Sequence, residues 1–334
     1  MKATSKNSRS VISQKKFKIT DGEVQGGSAP IRKWFLDENN INWFGKCSMS
    51  SLASEDFTGE YDEWYNFADF KECLAMRLYA LFGITTPETT LSFQSLSPQE
   101  RQKFASIADN LQIPKMFIMS RVLEGFQVLG ENFLFTYKQN EPEDSYFFHV
   151  AGEKVPLRGF GRVIVVSILV HDYDCVGNSG GNMGYIINSE SKCAEIVKID
   201  PGEALSFAED MTAAPELANP PKKREARIGT TQSPLQYDQL KPNDQKEFIQ
   251  TAREILEMPD AKIIDVFQDF LVLDKRFEII LNALLRRKEE LLSAFSPEVR
   301  TLIVNQINEL KTQKAEELMT TWGKSMDPSL LVEE

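Results

Sequence analysis

The stretch from His171 to Gly184 constrains this chain more than any other part of its sequence. It contains two aspartates, two asparagines and four glycines, in the order His-Asp-Tyr-Asp-Cys-Val-Gly-Asn-Ser-Gly-Gly-Asn-Met-Gly. It follows the apolar run Phe160–Val170 and leads into a second apolar segment. Catalytic groups tend to lie on loops between rigid elements. The pattern therefore predicts a functional loop that is delivered by a buried helix or strand.

An acidic turn lies downstream of this loop. The sequence Lys-Ile-Asp-Pro-Gly-Glu places Asp200 at the end of an apolar strand. The segments Gly184–Asn188 and Ala194–Ile199 predict the two strands of a hairpin around Asn188–Lys192. We therefore expect Asn182, which precedes the first strand, and Asp200, which follows the second, to meet at the base of the hairpin.

The residue types at this base fit a divalent cation. Mg²⁺ takes oxygen ligands in proteins, typically one or two carboxylates together with phosphate oxygens. Asn182 and Asp200 offer an amide and a carboxylate oxygen. An aspartate earlier in the loop, either Asp174 or Asp172, is then available to orient or deprotonate an attacking hydroxyl.

Composition excludes several other kinds of site. Only two histidines are present, so we expect no metal site built from several histidines. The four cysteines are scattered, so we expect no zinc site and no disulfide framework. The net charge of −11 repels nucleic acid and anionic membranes. The sequence has no run of about 18 apolar residues and no apolar segment after its N-terminal lysines, so neither a transmembrane segment nor a secretory signal is expected.

The first part of the chain alternates strands with one long helix. Phe17–Lys46 has short apolar runs broken by glycines and asparagines, which predicts strands and tight turns. Apolar residues at intervals of three and four predict a helix over Tyr65–Phe82, with Gly83 as its terminating glycine. Thr89–Phe93 and Met116–Met119 are predicted strands.

Helix signals dominate further along. Ser97 precedes Pro98 and is followed by Glu100, which is the pattern of a capping box at a helix start. Residues 208–245 contain five prolines and are predicted to be irregular. From Lys246 onward the pattern is helical nearly to the end.

The order of acidic loop, Asn-x-Gly, hairpin and Ile-Asp-Pro-Gly-Glu-Ala resembles the atypical kinases of the protein-kinase-like superfamily, in particular the HipA-like kinases and the phosphoinositide 3/4-kinases. In those families an aspartate acts on the acceptor, and an asparagine and a second aspartate bind the metal. The resemblance implies an α+β, two-lobed fold, with a mixed β-rich N-lobe and a mainly helical C-lobe, that uses ATP with Mg²⁺ or Mn²⁺. It assigns the metal to Asn182 and Asp200.

The position of the acceptor-side aspartate departs from the family pattern. Those kinases place the catalytic aspartate about five positions before the asparagine. Here Asn182 follows Asp174 by eight positions and Asp172 by ten, because of a glycine-rich insertion. Both aspartates therefore stay open as candidates for the catalytic base.

The resemblance also implies a nucleotide site in the N-lobe. Gly26, Gly27 and Ser28 lie between strand-like segments, as a loop that covers a nucleotide would, and backbone amides there can approach phosphates. Lys46 ends the following strand and resembles the lysine that contacts ATP. Glu72 on the predicted helix would pair with it and hold it against the α- and β-phosphates.

The segment Ile118–Phe126 resembles the hinge between the two lobes. Met119, Arg121 and Val122 would line the adenine slot, mainly through backbone groups. Implied boundaries are 1–16 for a disordered leader, 17–120 for the N-lobe, 121–310 for the C-lobe and 311–334 for an acidic tail.

A basic cluster stands apart in this acidic chain. Lys222, Lys223, Arg224 and Arg227 are candidate contacts for phosphate groups of a phosphoinositide, an inositol phosphate or a substrate, and a solvated charge run is the alternative. The glutamate-containing C-terminal end resembles the secretion signals of bacterial type IV effectors. That resemblance implies delivery by a bacterium into the host cytoplasm.

Together these features predict an ATP- and metal-dependent phosphotransferase, an atypical protein kinase that acts on hydroxyl groups of host proteins. A phosphoinositide kinase and an enzyme that transfers AMP, as some pseudokinase-like folds do, are the near alternatives. Asp172-Tyr-Asp174 also forms the DxD motif of metal-dependent glycosyltransferases. A degraded kinase fold that binds a host partner without catalysis is the remaining hypothesis.

Overall fold

The computed structural model describes most of the chain outside several loops and both ends. Gly26–Ser28, the basic cluster from Lys222 to Arg227 and the first ten residues lie outside the described residues. The described ranges are 11–20, 31–47, 62–104, 115–130, 143–150, 152–172, 174–176, 181–188, 190–202, 204–205, 237, 240–274 and 276–325.

An antiparallel sheet forms the N-lobe. Its strands follow the order β1-β2-β3-β5-β4, and Lys46 on β3 lies opposite Ile118 on β5. The strand predictions for this region are confirmed. The strands are β1 (Phe17–Thr20), β2 (Ile31–Asp37), β3 (Asn42–Cys47), β4 (Thr89–Gln94) and β5 (Lys115–Arg121).

A tight turn between β2 and β3 sets the register of the lysine-bearing strand. The Oδ1 atom of Asp37 accepts hydrogen bonds from the backbone N–H groups of Asn39 and Ile41, at 2.9 and 3.0 Å. Asn40 has a φ of 59°, a conformation that asparagine adopts more readily than most residues. The indole N–H of Trp43 donates to the other carboxylate oxygen at 3.1 Å, which joins the turn to the core beneath the sheet.

Helix α1 (Asp62–Leu81) lies between the sheet and the C-lobe. It ends at Gly83, whose φ of +75° is in the left-handed region that favours glycine. The amides of Gly83 and Ile84 close the end by donating to the carbonyls of Ala80 and Tyr79, at 3.0 and 3.1 Å. The predicted helix and its terminating glycine are confirmed.

Helix α2 (Pro98–Phe104) begins with the predicted capping box. The amide of Ser97 donates to the Glu100 carboxylate at 2.8 Å, and the amide of Glu100 donates to Ser97 Oγ at 3.3 Å. Each side chain thus satisfies a backbone donor that the first helical turn leaves free.

The C-lobe opens with a second sheet that the sequence patterns predict only in part. Its strand order is β6-β9-β10-β8-β7, with β10 parallel to β8 and antiparallel to β9. The β9–β10 hairpin is confirmed, whereas β6 to β8 carry no clear alternating pattern. The strands are β6 (Gln127–Val128), β7 (Phe147–Val150), β8 (Glu153–Arg158), β9 (Met183–Asn188) and β10 (Cys193–Lys198).

The apolar run before the polar loop is a helix, α3 (Phe160–Val170). Nine of its eleven residues are buried, so the run is apolar on all sides because protein surrounds it. Gly161 lets it cross the next helix closely: a Cβ there would lie 1.9 Å from the carbonyl oxygen of Asp244.

The remaining described elements are helical. The first of these helices begins at Pro242, inside the segment predicted to be irregular, because proline suits a first helical position. The predicted tail from residue 311 begins inside the last helix. The elements are α4 (Pro242–Glu257), α5 (Asp260–Leu271), α6 (Arg276–Glu289), a 3₁₀ helix (Leu291–Ala294) and α7 (Pro297–Ser325). No helix in the described residues is long and apolar enough to span a membrane.

Candidate active site

Lys46, Glu72 and Asp200 form an ion cluster between the two lobes. The Nζ atom of Lys46 lies 2.7 Å from Glu72 Oε1 and 2.5 Å from Asp200 Oδ1. Strand β3, helix α1 and the turn after β10 each supply one of these side chains. The expected Lys46–Glu72 ion pair is therefore present, and the same ammonium also reaches Asp200.

The charges in this cluster are unequal, because one cation faces two carboxylates. Burial works to lower the pKa of Lys46, but the charges of Glu72 and Asp200 outweigh it and the pKa is raised. Burial raises the pKa of Glu72 to about 7, and the charge of Lys46 offsets this only in part. The pKa of Asp200 is lowered, because Lys46 outweighs the opposing effect of burial. Asp200 is thus the carboxylate that stays ionised and is half exposed.

The backbone at Asp200 holds its carboxylate toward the cluster. Its φ is +49°, a left-handed conformation in which aspartate and asparagine are enriched among non-glycine residues. Gly202 follows closely: a Cβ there would lie 3.6 Å from both Asp200 Oδ1 and Glu72 Oε2. The amide of Leu205 donates to the carbonyl of Val170 at 2.8 Å, which anchors this turn to the end of α3.

Asn182 lies at the base of the hairpin, as expected. Its carbonyl accepts from the amide of Ile199 at 3.1 Å, so it pairs with the residue before Asp200. Its Nδ2 atom donates to the carbonyl and to Oδ2 of Asp174, at 2.7 and 3.2 Å. Because Asp174 binds the amide nitrogen, the Oδ1 atom of Asn182 is the side-chain atom suited to a cation.

The two aspartates that compete for the base have different surroundings. Asp172 is only 2% exposed, and its Oδ2 atom accepts from the Tyr79 hydroxyl at 2.7 Å and pairs with Lys198 at 3.1 Å. Asp174 is partly exposed and lies beside Asn182. Asp174 is thus the more exposed of the two carboxylates, whereas protein encloses Asp172.

The predicted hinge residues lie at the end of β5. Met119 is fully buried, and Val122 donates its amide to the carbonyl of Asn42 at 3.0 Å. The guanidinium of Arg121 lies 3.7 Å from Glu88 and lines a cavity of about 910 Å³ with Thr86. Their contact with adenine stays a prediction, as does the role of Gly26, Gly27 and Ser28, which lie outside the described residues.

Two buried polar residues escaped the sequence analysis. Lys198 is fully buried at the end of β10, and Tyr79 on α1 is fully buried with its hydroxyl 2.7 Å from Asp172. The available signal was a polar residue at a core position of an otherwise apolar element. Such residues are seldom buried without a partner.

Gly184, in the Asn-x-Gly sequence, connects this site to the hinge. A Cβ there would lie 2.2 Å from the ring of Phe126 and 2.4 Å from the carbonyl oxygen of Gln127. Val128 on β6 pairs with Gly184 on β9 in the sheet. The glycine therefore allows the chain that leaves the hinge to lie directly against the strand that begins after Asn182.

The donor set fits a small divalent cation that keeps other ligands. Among the described residues no three His, Cys, Asp or Glu side chains lie close enough together to hold a metal ion. One carboxylate from Asp200 and one amide oxygen from Asn182 leave further positions for phosphate oxygens and water, which is how Mg²⁺ is commonly bound.

Comparison with solved structures shows the fold. The chain is similar to the proinflammatory kinase CtkA of Helicobacter pylori, with 13% sequence identity, a TM-score of 0.50 and coverage of 86% of this chain and 96% of that chain. It is also similar to the Golgi casein kinase, with 12% identity, a TM-score of 0.41 and coverage of 85% and 73%. That kinase with Mn/ADP bound matches at 14% identity with a TM-score of 0.39, over 83% of this chain and 72% of that one.

Sequence comparison adds nothing to this, since no family model matches the chain. No curated protein matches it either. The mixed α+β architecture, with a sheet-rich N-terminal part and a helical C-terminal part, is that of the protein-kinase-like fold.

Proposed function

We propose that this chain is an ATP- and metal-dependent phosphotransferase that acts on hydroxyl groups of proteins. The observation that carries the proposal is the position of Lys46, whose ammonium contacts Glu72 and Asp200 at once. The contact joins β3, α1 and the turn after β10. Kinases bring these three elements together around the phosphates of ATP.

Each residue then has a defined task. Lys46, held by Glu72, binds the α- and β-phosphates and orients them. Asp200 and Asn182 would hold Mg²⁺ or Mn²⁺, which would supply positive charge to the phosphate oxygens. Asp174 accepts the proton of the acceptor hydroxyl as that oxygen attacks the γ-phosphorus, while the bond from this phosphorus to the β–γ bridging oxygen breaks and ADP leaves. Most of the catalysis is positioning and charge neutralisation.

The acidity of the chain favours a protein over a lipid acceptor. A net charge of −11 disfavours approach to an anionic membrane surface. We place the acceptor in a host cell because the C-terminal end resembles type IV secretion signals. The basic cluster Lys222–Arg227 makes a phosphoinositide acceptor the alternative to be tested.

The position of a radioactive label in ATP separates protein phosphorylation, phosphoinositide phosphorylation and AMP transfer. The purified chain is incubated with γ-labelled or α-labelled ATP and Mg²⁺ or Mn²⁺, with host lysate or phosphoinositide vesicles. We expect label from the γ position to enter protein. Label in the lipid would identify a phosphoinositide kinase, and α label in protein would identify AMP transfer.

Matched variants link the signal to the site. Asp200→Asn and Asp174→Asn keep side-chain shape and should each abolish most transfer. Asp269→Asn alters a surface carboxylate paired with Arg77 at 3.2 Å and should leave transfer unchanged. An absence of label from either position, combined with an absence of ATP binding, would overturn the proposal.

A further inference from the structure

Lys198 is a fully buried lysine at the end of β10. Burying an ammonium group is costly unless charge and hydrogen bonds compensate it. Its surroundings must therefore supply that compensation, and they do so from the proposed site itself.

The ammonium of Lys198 has three acceptors. Its Nζ atom lies 3.1 Å from Asp172 Oδ2, 3.3 Å from the carbonyl oxygen of Asn182 and 3.0 Å from the carbonyl oxygen of Ile199. A lysine has three N–H donors and no acceptor, so these contacts use its full capacity.

Two of these acceptors belong to the backbone beside the proposed metal ligands. One is the carbonyl of Asn182, and the other is the carbonyl of Ile199, the residue before Asp200. The strands β9 and β10 part here, after the bond from the Ile199 amide to the Asn182 carbonyl. Lys198 thus joins the two chain segments at the point where their sheet pairing ends.

The third acceptor fixes this link to the rest of the molecule. Asp172 also accepts the Tyr79 hydroxyl at 2.7 Å, and its amide donates to the carbonyl of Ser167 on α3 at 2.9 Å. Tyr79 is on α1, the helix that carries Glu72. Among the described residues the Oδ1 atom of Asp172 has no hydrogen-bond partner. The carboxylate is therefore held through Oδ2, by Lys198 and Tyr79.

We propose that Lys198 is a positioning residue that fixes Asn182 relative to Asp200 and thereby sets the affinity of this pair for a divalent cation. This inference rests on the proposed function. Residues that orient metal ligands from behind affect metal affinity by about 10- to 100-fold when they are altered.

A simpler role for Lys198 is to neutralise Asp172, and a pair of variants separates the two roles. Lys198→Met alone leaves a buried carboxylate without its cation, which should lower the melting temperature. The double variant Asp172→Asn/Lys198→Met removes both charges, and neutral replacement of a buried ion pair is often tolerated. It should regain most of the melting temperature but not the bonds to the two carbonyls.

Binding of Mn²⁺ in the presence of ADP, followed by electron paramagnetic resonance, is the measurement. We expect the double variant to bind Mn²⁺ about tenfold more weakly than the unaltered chain. Its half-saturating metal concentration in phosphate transfer should rise to a similar degree, with kcat at saturating metal little changed. Glu195→Gln, on the exposed side of the same strand, should match the unaltered chain in both.

The possible results separate a failure of the inference about Lys198 from a failure of the proposed phosphotransferase function. Unchanged Mn²⁺ affinity in a folded double variant means that Lys198 only balances charge, which overturns the inference and leaves the proposed function standing. Failure of the unaltered chain to bind Mn²⁺ and ADP overturns both. If the double variant does not fold, Asp172→Asn/Lys198→Leu replaces it, because it removes the same two bonds to the Asn182 and Ile199 carbonyls with a side chain of different shape. A several-fold loss of Mn²⁺ affinity in that variant supports the inference, and no loss contradicts it.

Discussion

At the scale of single residues, the cluster of Lys46, Glu72 and Asp200 carries an excess negative charge. The ammonium is shared between the carboxylates at 2.7 and 2.5 Å, and burial strengthens its interaction with Glu72 more than that with the half-exposed Asp200. A cation that binds Asp200 would remove this excess and release Lys46 to contact phosphate. The geometry of the cluster is therefore compatible with an exchange of partners at Asp200, from Lys46 to a cation.

Loss of the Lys46 ammonium should stop phosphate transfer without unfolding the chain. We expect Lys46→Met to reduce kcat/KM by roughly 100-fold or more, as removal of a preorganised electrostatic contact does elsewhere. Lys33→Met is the matched control, because Lys33 lies on the adjacent strand and pairs with Glu100 at 2.7 Å, away from Asp200. Equal losses in both variants would show that the effect is structural.

Metal binding should release a proton from Glu72. Burial raises its pKa to about 7, so near neutral pH about half of the molecules carry this proton. A divalent cation at Asp200 lowers that pKa, so about half a proton should leave per metal bound at pH 7. Calorimetry in buffers of different ionisation enthalpy measures the release.

If Glu72 is the source of the released proton, the direction in which proton release changes with pH follows. Release should increase as the pH falls from 8 toward 6, because more Glu72 is protonated before the metal binds. Glu72→Gln cannot release this proton and should show little pH dependence over that range. A release that persists unchanged in Glu72→Gln would assign the proton to another group.

At the scale of elements, close contacts between strands and helices position the site. The ring of Phe126 and the carbonyl of Gln127 lie where a side chain on Gly184 would be. The end of α3 is held by hydrogen bonds from Arg287 on α6. Two predictions concern these contacts.

Gly184→Ala should destabilise the pairing of β6 with β9. A backbone carbonyl 2.4 Å from the new methyl group cannot simply turn away, so the strands must shift. We expect a loss of about 1–3 kcal/mol in the free energy of unfolding, measured in urea. Gly202→Ala adds the same methyl group at an ordinary contact distance of 3.6 Å and should cost less.

Arg287 closes the C-terminal end of α3, immediately before the polar loop. It is buried, and its guanidinium donates to the carbonyls of Leu169 and Ile168, at 2.8 and 2.7 Å. Burial lowers its pKa to about 10, so it stays charged at neutral pH. Arg287→Met should reduce the free energy of unfolding by about 1–3 kcal/mol, because the carbonyl of Leu169 loses its bond to Arg287 and that of Ile168 keeps only the long bond from the His171 amide at 3.4 Å.

The neighbouring arginine provides the control for this measurement. Arg286 is on the same helix, more than half exposed, and pairs with Glu290 one turn away. Its change to Met should cost no more than about 0.5 kcal/mol in the same urea titration. Similar losses for the two arginines would contradict the capping role of Arg287.

At the scale of the whole molecule, binding of Mg²⁺ and ATP should stabilise the folded chain against heat. A ligand at 100 times its Kd adds about 2.7 kcal/mol, and for a chain of this size that corresponds to roughly 4 °C in melting temperature. Differential scanning fluorimetry measures the shift. Asp200→Asn should lose most of it and Asp269→Asn should retain it. A full shift in Asp200→Asn would exclude Asp200 as a metal ligand.

Local sequence alone determined the elements whose signals act over a few residues. The capping box at Ser97, the terminating glycine at Gly83 and the β9–β10 hairpin depend on neighbours in the chain, so the patterns predict them directly. The hairpin also fixes Asn182 beside the residue before Asp200, because strand pairing at a short turn follows from local order.

Tertiary structure decided what depends on contacts between distant segments. The run Phe160–Val170 is equally apolar as a helix or a strand, and only the structure shows that it is a helix enclosed by protein. Asp172 and Asp174 look alike in sequence. Asp172 is buried beside Lys198 and Tyr79 and Asp174 is partly exposed, because the exposure of a side chain is set by packing between distant segments.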